Sequence, residues 1–179
     1  MTAAALYSGA MADHPTEYRT GHDPRTLRAA LGCFATGVTV VTCLDGHGQP
    51  VGLTCNSFTS VSLDPPLLLV CVAKSAASAP ALTTAANFAV NVLQTKQQPA
   101  SIRFATRDED RFGSTPWACG EAGAPIITDS LGVFECAAFA VHDGGDHHIL
   151  IGKVIKASFD AALDPLLYFR GKYRRLHFD

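Results

Sequence analysis

The residues best equipped for chemistry lie in one short run, His142-Asp143-Gly144-Gly145-Asp146-His147-His148, which puts three imidazoles and two carboxylates within seven positions. Imidazoles and carboxylates together can ligate a metal. Two adjacent glycines let backbone approach a ligand closely. A metal site, a polar hairpin tip and a substrate-touching loop are all open readings of these residues. The flanking segments supply no further ligand at helical or strand spacing, so no metal is expected. A second set is Lys74-Ser75, directly after an apolar run, with Thr54, Asn56, Ser57, Ser60 and Ser62 upstream. Short donors around one cation can hold a phosphate or the polar edge of a ring. Solvation of a turn and a strand edge is the plainer alternative.

Other signatures are absent. The sequence has no GxxxxGK[ST] loop and no GxSxG elbow. Gly46-x-Gly48-x-x-x-Gly52 has the wrong spacing for a dinucleotide fingerprint and falls in a turn between strands. The six cysteines (Cys33, Cys43, Cys55, Cys71, Cys119 and Cys136) include no CxxC pair and no zinc-finger spacing. They read as reduced, mostly buried thiols. Residues 1–11 lack a basic region and a long apolar core, so no signal peptide is expected and the location reads as cytoplasmic.

These groups need a scaffold, and the composition supports one. The chain has 179 residues, 47% of them hydrophobic and 17% charged, with a formal net charge of −2. That excludes disorder for the bulk of the chain and gives no global attraction to nucleic acid or an anionic membrane. Apolar runs such as 67–73 are too short to span a bilayer. Residues 1–23 read as an N-terminal tail and 24–179 as one domain. Asp23-Pro24 opens a helix, with Ala30, Leu27, Leu31 and Phe34 on one face and Gly37 at its end. Strands are expected over 38–44 and 51–58, joined by a turn-rich segment. In the second of these, Val51, Leu53 and Cys55 alternate with Gly52, Thr54 and Asn56, giving one apolar and one small polar face. Residues 67–73 suggest a central strand buried on both faces. A short helix over 80–86, a strand over 87–93, a helix over 97–106 and a long surface loop over 107–125 follow. Two strands, 132–142 and 148–159, flank the His-rich run, and a last strand covers 166–169. The basic stretch Arg170-Gly171-Lys172-Tyr173-Arg174-Arg175 either is a solvated terminus or approaches ligand phosphates. Six or seven strands joined mostly by short turns predict a mainly β, antiparallel barrel with peripheral helices.

Several strings, in order along the chain, resemble the short-chain flavin reductases. They are Phe34-Ala35-Thr36-Gly37-Val38-Thr39-Val40-Val41-Thr42, then Gly52-Leu53-Thr54-Cys55-Asn56-Ser57-Phe58-Thr59-Ser60-Val61-Ser62-Leu63-Asp64-Pro65-Pro66. Asn87-Phe88-Ala89-Val90-Asn91-Val92-Leu93, Phe104-Ala105, Gly145-Asp146-His147-x-Ile149-x-Ile151-Gly152-x-Val154 and Pro165-Leu166-Leu167-Tyr168 follow. The resemblance covers about residues 24–175. It implies an FMN-binding split barrel, a homodimer, and an NAD(P)H:flavin oxidoreductase. Such an enzyme reduces FAD or FMN with NADH or NADPH and releases reduced flavin to a separate flavin-dependent monooxygenase or halogenase. A flavin-binding electron-transfer module, or a reductase of a non-flavin acceptor, is the alternative. The resemblance assigns Thr54, Cys55, Asn56, Ser57, Ser60, Ser62, Ala73, Lys74, Ser75, Phe104 and Ala105 to flavin. It assigns Gly145, Asp146, His147, Tyr168 and Tyr173 to the pyridine nucleotide, with His147 as the catalytic-site group that positions nicotinamide. Cys55 and Lys153 depart from the residues common in relatives at those positions, without touching the reaction class.

Overall fold

The computed structural model describes residues 16–21, 23–107 and 110–176. Most of the expected tail therefore lies outside the described residues. Helix α1, Pro24–Leu31, starts as its sequence dictates: the Asp23 carboxylate accepts the Arg25 N–H at 3.0 Å and Pro24 takes the first helical position. It ends sooner than its spacing suggests. The Gly32 N–H closes the last turn on Arg28 O, whereas Gly37 lies in strand β1, Thr36–Gly37. The apolar face of α1 is left uncovered, with Leu31 67% exposed, and Phe34, just past the helix, is 79% exposed.

The strands follow as β2 (Thr39–Leu44), β3 (Pro50–Cys55), β4 (Thr59–Leu63) and β5 (Pro66–Ala73). Helix α2 (Ala79–Thr84) and β6 (Asn87–Val92) come next, then a 3-10 turn, Thr95–Gln97, that leads into α3 (Gln98–Ala105). The rest is β7 (Trp117–Cys119), β8 (Pro125–Ile127), β9 (Gly132–Gly144), β10 (His147–Phe159), β11 (Leu167–Phe169) and β12 (Lys172–Arg174). Seven strands form one sheet in the order β3-β2-β6-β9-β10-β5-β4, and every pairing is antiparallel. A three-stranded sheet, β1-β11-β12, and the β7-β8 hairpin flank it. This is the expected antiparallel split barrel with helices at its periphery.

Three expectations are corrected. The run 51–58 is not one strand: it breaks after Cys55, and the chain crosses through 56–58 to the other edge strand, β4. Ser57 secures the crossing. Its hydroxyl accepts the Cys71 N–H at 2.8 Å and donates to the Cys71 carbonyl at 3.1 Å, continuing the β4–β5 pairing past Thr59. Residues 67–73 are not the doubly buried strand, because β5 lies next to the sheet edge and buries one side, Leu68, Val70 and Val72. The strands buried on both faces are β2 and its neighbour β6. In β2, Val41 and Cys43 enter the barrel core with Phe88 and Leu150, sealed by Leu82 of α2, while Val40 joins Leu93, Phe104, Ile127 and Leu166 in a second core on the other face. Finally, the loop 107–125 is not structureless, since it contains β7, which pairs with β8.

Cys43, Cys55 and Cys136 are buried, Cys71 is partly buried, and Cys33 and Cys119 are exposed. Burial pushes the Cys43 thiol up to about 11 and the Cys136 thiol up to about 12, so both stay protonated at neutral pH. Among the described residues no helix is long and apolar enough to cross a membrane.

Candidate active site

Strands β9 and β10 are the longest of the described residues, and both run on to a shared tip. Two residues, Gly145-Asp146, turn the chain. Gly145 has φ +76°, the glycine-first pattern of a type II′ hairpin, and its N–H donates to Asp143 Oδ1 at 3.1 Å. The register His147↔Ala73 puts the start of β10 beside the end of β5. The Lys74 turn therefore meets the His-rich run. Lys74 donates its backbone N–H to Asp146 O at 2.9 Å and its ammonium to Asp143 Oδ2 at 2.5 Å. Two clusters separated by about seventy positions in sequence become one site.

Each carboxylate of this tip has a nitrogen partner. The Asp143 carboxyl is held below the usual carboxylate range by its hydrogen bond from Lys74, aided by the Gly145 N–H. Asp146 is lowered by its hydrogen bond with His147, Nδ1 to Oδ1 at 2.7 Å. Donor–acceptor matching puts a proton on Nδ1, facing the carboxylate, and the ring geometry points Nε2 away from it. The His147 side chain is 42% exposed, so the imidazole is held on one side and accessible on the other. Among the described residues no group of three or more metal-ligating side chains converges, here or elsewhere.

The other candidate residues are divided among three places. Ser57 and the buried Cys55 lie at the crossing, with Cys55 Sγ and Ser57 Oγ 2.8 Å apart. Burial raises the Cys55 thiol despite that contact. Asn56 is exposed and reaches back to Thr36 Oγ1 at 3.3 Å. Ser60 and Ser62 sit on edge strand β4, paired with Leu68 and Leu67. At roughly 3.3 Å of rise per residue, that is about 20–23 Å along β5 from Lys74.

The small polar face of β3 is not an open wall, because α3 covers it. Thr54 donates to Ser101 O at 2.7 Å, and the Phe104 ring lies where a Cβ on Gly52 would come within 2.9 Å. Phe104 is 1% exposed and is a core residue, whereas Ala105 is exposed. Tyr168 and Tyr173 pack edge to face with centroids 5.4 Å apart against this second core. The Tyr173 hydroxyl bonds Ser101 Oγ at 2.9 Å. Thr54, Phe104 and the two tyrosines thus form a supporting layer on the α3 side, apart from the His147 tip.

One feature escaped the sequence reading because residues 107–125 read as a loop. Arg111 donates to Gly52 O at 2.7 Å and to Thr106 O at 2.5 Å, while its buried Nε has no hydrogen-bond partner among the described residues. It lines a cavity of about 860 Å³ with Ser75, Ser78, Arg107, Asp110 and Phe112. The Ser78 hydroxyl is buried and likewise has no partner among the described residues.

The flavin reductase like domain matches residues 31–177 of this chain. This chain belongs to that family. A probable flavin reductase of Rhizobium meliloti is 52% identical over 151 residues, 84% of this chain but 48% of its own length, so the chain spans about half of that relative. The flavin-dependent monooxygenase reductase subunit HsaB of Rhodococcus jostii is 44% identical over 151 residues, 84% of this chain and 77% of the relative. Among solved structures, the NADH:FAD oxidoreductase of Streptomyces globisporus in complex with NAD and FAD fragments superposes with a TM-score of 0.86 at 42% identity. That match covers 92% of this chain and 99% of that one. Family membership thus takes in all the candidate site residues, Thr54 to Tyr173.

Proposed function

We propose that this chain is an NAD(P)H:flavin oxidoreductase. It takes free FAD or FMN as substrate and releases reduced flavin to a separate flavin-dependent monooxygenase or halogenase. The observation that carries the reading is the joining of the Lys74 turn to the Gly145-Asp146-His147 tip in a chain of this family. Relatives named as a monooxygenase reductase subunit and an NADH:FAD oxidoreductase support both the donor and the partner class.

The residues fit a flavin. The cavity beside Ser75, about 860 Å³, lies within the range of about 300–1,000 Å³ usual for small-molecule sites. It also holds a buried hydroxyl, that of Ser78, with no partner among the described residues. We assign the flavin to the segment 54–62 and the turn Ala73-Lys74-Ser75, contacted by backbone and short side chains. Phe104 supports that wall from behind Gly52, and Ala105 borders it. When bound, the flavin supplies a two-electron acceptor for a reduced nicotinamide. The protein's own part is positioning, since stacking and alignment of two rings need little acid–base work. His147, oriented by Asp146, offers Nε2 to a carboxamide N–H of the nicotinamide. Gly145 keeps the turn free of a side chain at its closest approach. Tyr168 and Tyr173 back the nucleotide side.

We read residues 24–179 as this domain, acting in the cytoplasm as a homodimer. The exposed Phe139, Val141, Ile155 and Phe159 of the β9–β10 hairpin favour a second copy as their cover. The test is NADH or NADPH consumption at 340 nm with and without added FAD or FMN. Turnover that needs free flavin and saturates with it is expected. Flavin binding without turnover of either nucleotide would instead indicate an electron-transfer module.

A further inference from the structure

The charged residues of the basic stretch 170–175 take no part in the site described above, and the fold gives the last of them a place. Strand β12 turns Tyr173 inward, where its hydroxyl meets Ser101 of α3 at 2.9 Å. Alternation brings Arg175, two positions on, to the same side. There it lines a groove with Lys96, Pro99, Ile102, Arg103 and Thr106. The four α3 positions recur at three- and four-residue spacing, so they form one stripe along the helix. Ala100, Ser101 and Phe104, on its other side, are buried. The groove is therefore the outward face of α3, closed on one side by the end of β12.

The groove encloses about 560 Å³, and no carboxylate lines it. Among the described residues no ion pair reaches Lys96, Arg103 or Arg175. The Arg103 guanidinium instead donates to Ser114 O at 3.0 Å and to Thr115 Oγ1 at 2.6 Å, both neutral. A guanidinium bound to neutral acceptors keeps its full charge. Three cations thus stand uncompensated on one flank of a chain whose formal net charge is −2. Between them Ile102 is 47% exposed, and beyond Arg175 Leu176 is 42% exposed. An apolar centre with a charged rim is the anatomy of a protein interface, and clustered charge of one sign speeds encounter with a surface of the other.

The place of the groove favours one partner. The buried face of α3 backs the wall assigned to flavin, with Phe104 against Gly52. A protein held on the outward face would lie one helix diameter, about 10–12 Å, from that wall. The second copy favoured above covers β9 and β10, whereas α3 packs on β3 and β2. We propose that the groove docks an acidic segment of the monooxygenase that receives the reduced flavin. Carboxylates of that segment pair with Lys96, Arg103 and Arg175, and an apolar side chain packs on Ile102. The inference rests on the reading of the chain as a flavin reductase with a separate partner.

Magnetic resonance titration of the isotope-labelled full chain with a Glu-rich peptide carrying one central Leu tests it. The same peptide with Ala in place of Leu, and inorganic pyrophosphate, are the comparisons. The Leu peptide is expected to shift the amides of Lys96, Ile102 and Arg103 and to bind at least about threefold more tightly than the Ala peptide. Its affinity should fall about tenfold from low to physiological salt. Lys96→Glu and Arg175→Glu should each weaken it by about tenfold. Ile102→Ser should remove the preference for Leu, and NADH turnover with free flavin should stay unchanged in all three variants. Equal binding of the peptides with full competition by pyrophosphate would assign the groove to a small anion and overturn the docking. Broadening of the same amides with protein concentration alone would assign it to a second copy, with the same consequence. No shift at α3, in a protein with normal flavin-dependent turnover, would overturn the docking alone. A wild type without such turnover would overturn the functional reading with it.

Discussion

The His147 tip and the α3 flank of β3 are both built from residues that the sequence marked as functional, yet they are held together by different physics. The tip is exposed and charged, and it is fixed by one salt bridge, one imidazole–carboxylate bond and a glycine turn. The flank is buried and neutral, and it is fixed by the Phe104 ring packed on Gly52 and by hydroxyls bonded to α3. Exposed ion pairs contribute little to stability, whereas a buried aromatic ring contributes several kcal/mol. One region therefore holds a reactive surface in shape, and the other keeps the wall behind it rigid.

The largest effect should come from the flank. Phe104→Ala removes a fully buried ring from the second core and is expected to lower unfolding free energy by about 3–5 kcal/mol in chemical denaturation. If the variant keeps wild-type stability but loses flavin binding, Phe104 is a ligand contact and the comparison breaks. Thr54→Val keeps the shape but leaves Ser101 O without this donor. The expected loss is about 1 kcal/mol, with flavin affinity following stability. A wild-type denaturation midpoint would show that the bond does not anchor α3.

At the tip, acidity gives the smaller effect. The Asp143 carboxyl is lowered in the fold, so its contribution is present above the unfolded value, near 3.8, and is lost as pH falls through the lower folded value. Asp146 follows the same sign. The Gly145 amide, which donates to Asp143, should therefore exchange faster at pH 3 than its intrinsic rate change allows, while amides of β2 should not. Equal protection changes in both regions would mean that the tip does not open separately.

Much of this division was legible beforehand, and the parts that were not have physical reasons. Asp23-Pro24, the β2–β3 turn and the Gly145 hairpin are local signals, and local signals survive folding. The meeting of Lys74 with Asp143 and Asp146 is a matter of β5–β10 register, which a single sequence does not encode in any window. Reading 51–58 as one strand failed because alternation continues through Asn56 and Ser57, while the edge switch depends on a hydroxyl satisfying the backbone of Cys71. The small face of β3 looked open because nothing near it in sequence announces that Phe104 will cover Gly52. Arg111 was hidden by its neighbourhood, since a charged, glycine-rich stretch reads as solvated loop whether or not one side chain turns inward.

The central claim is that the tip acts on the nucleotide and not on the fold. His147→Ala tests it most directly, with steady-state NADH kinetics, flavin titration and denaturation run on the same variant. The account predicts a rise in KM for NADH or a fall in kcat of about tenfold or more. It also predicts nearly unchanged flavin affinity and a stability change within about 0.5 kcal/mol, as for an exposed side chain. Collapsed flavin binding with unchanged NADH kinetics would contradict it.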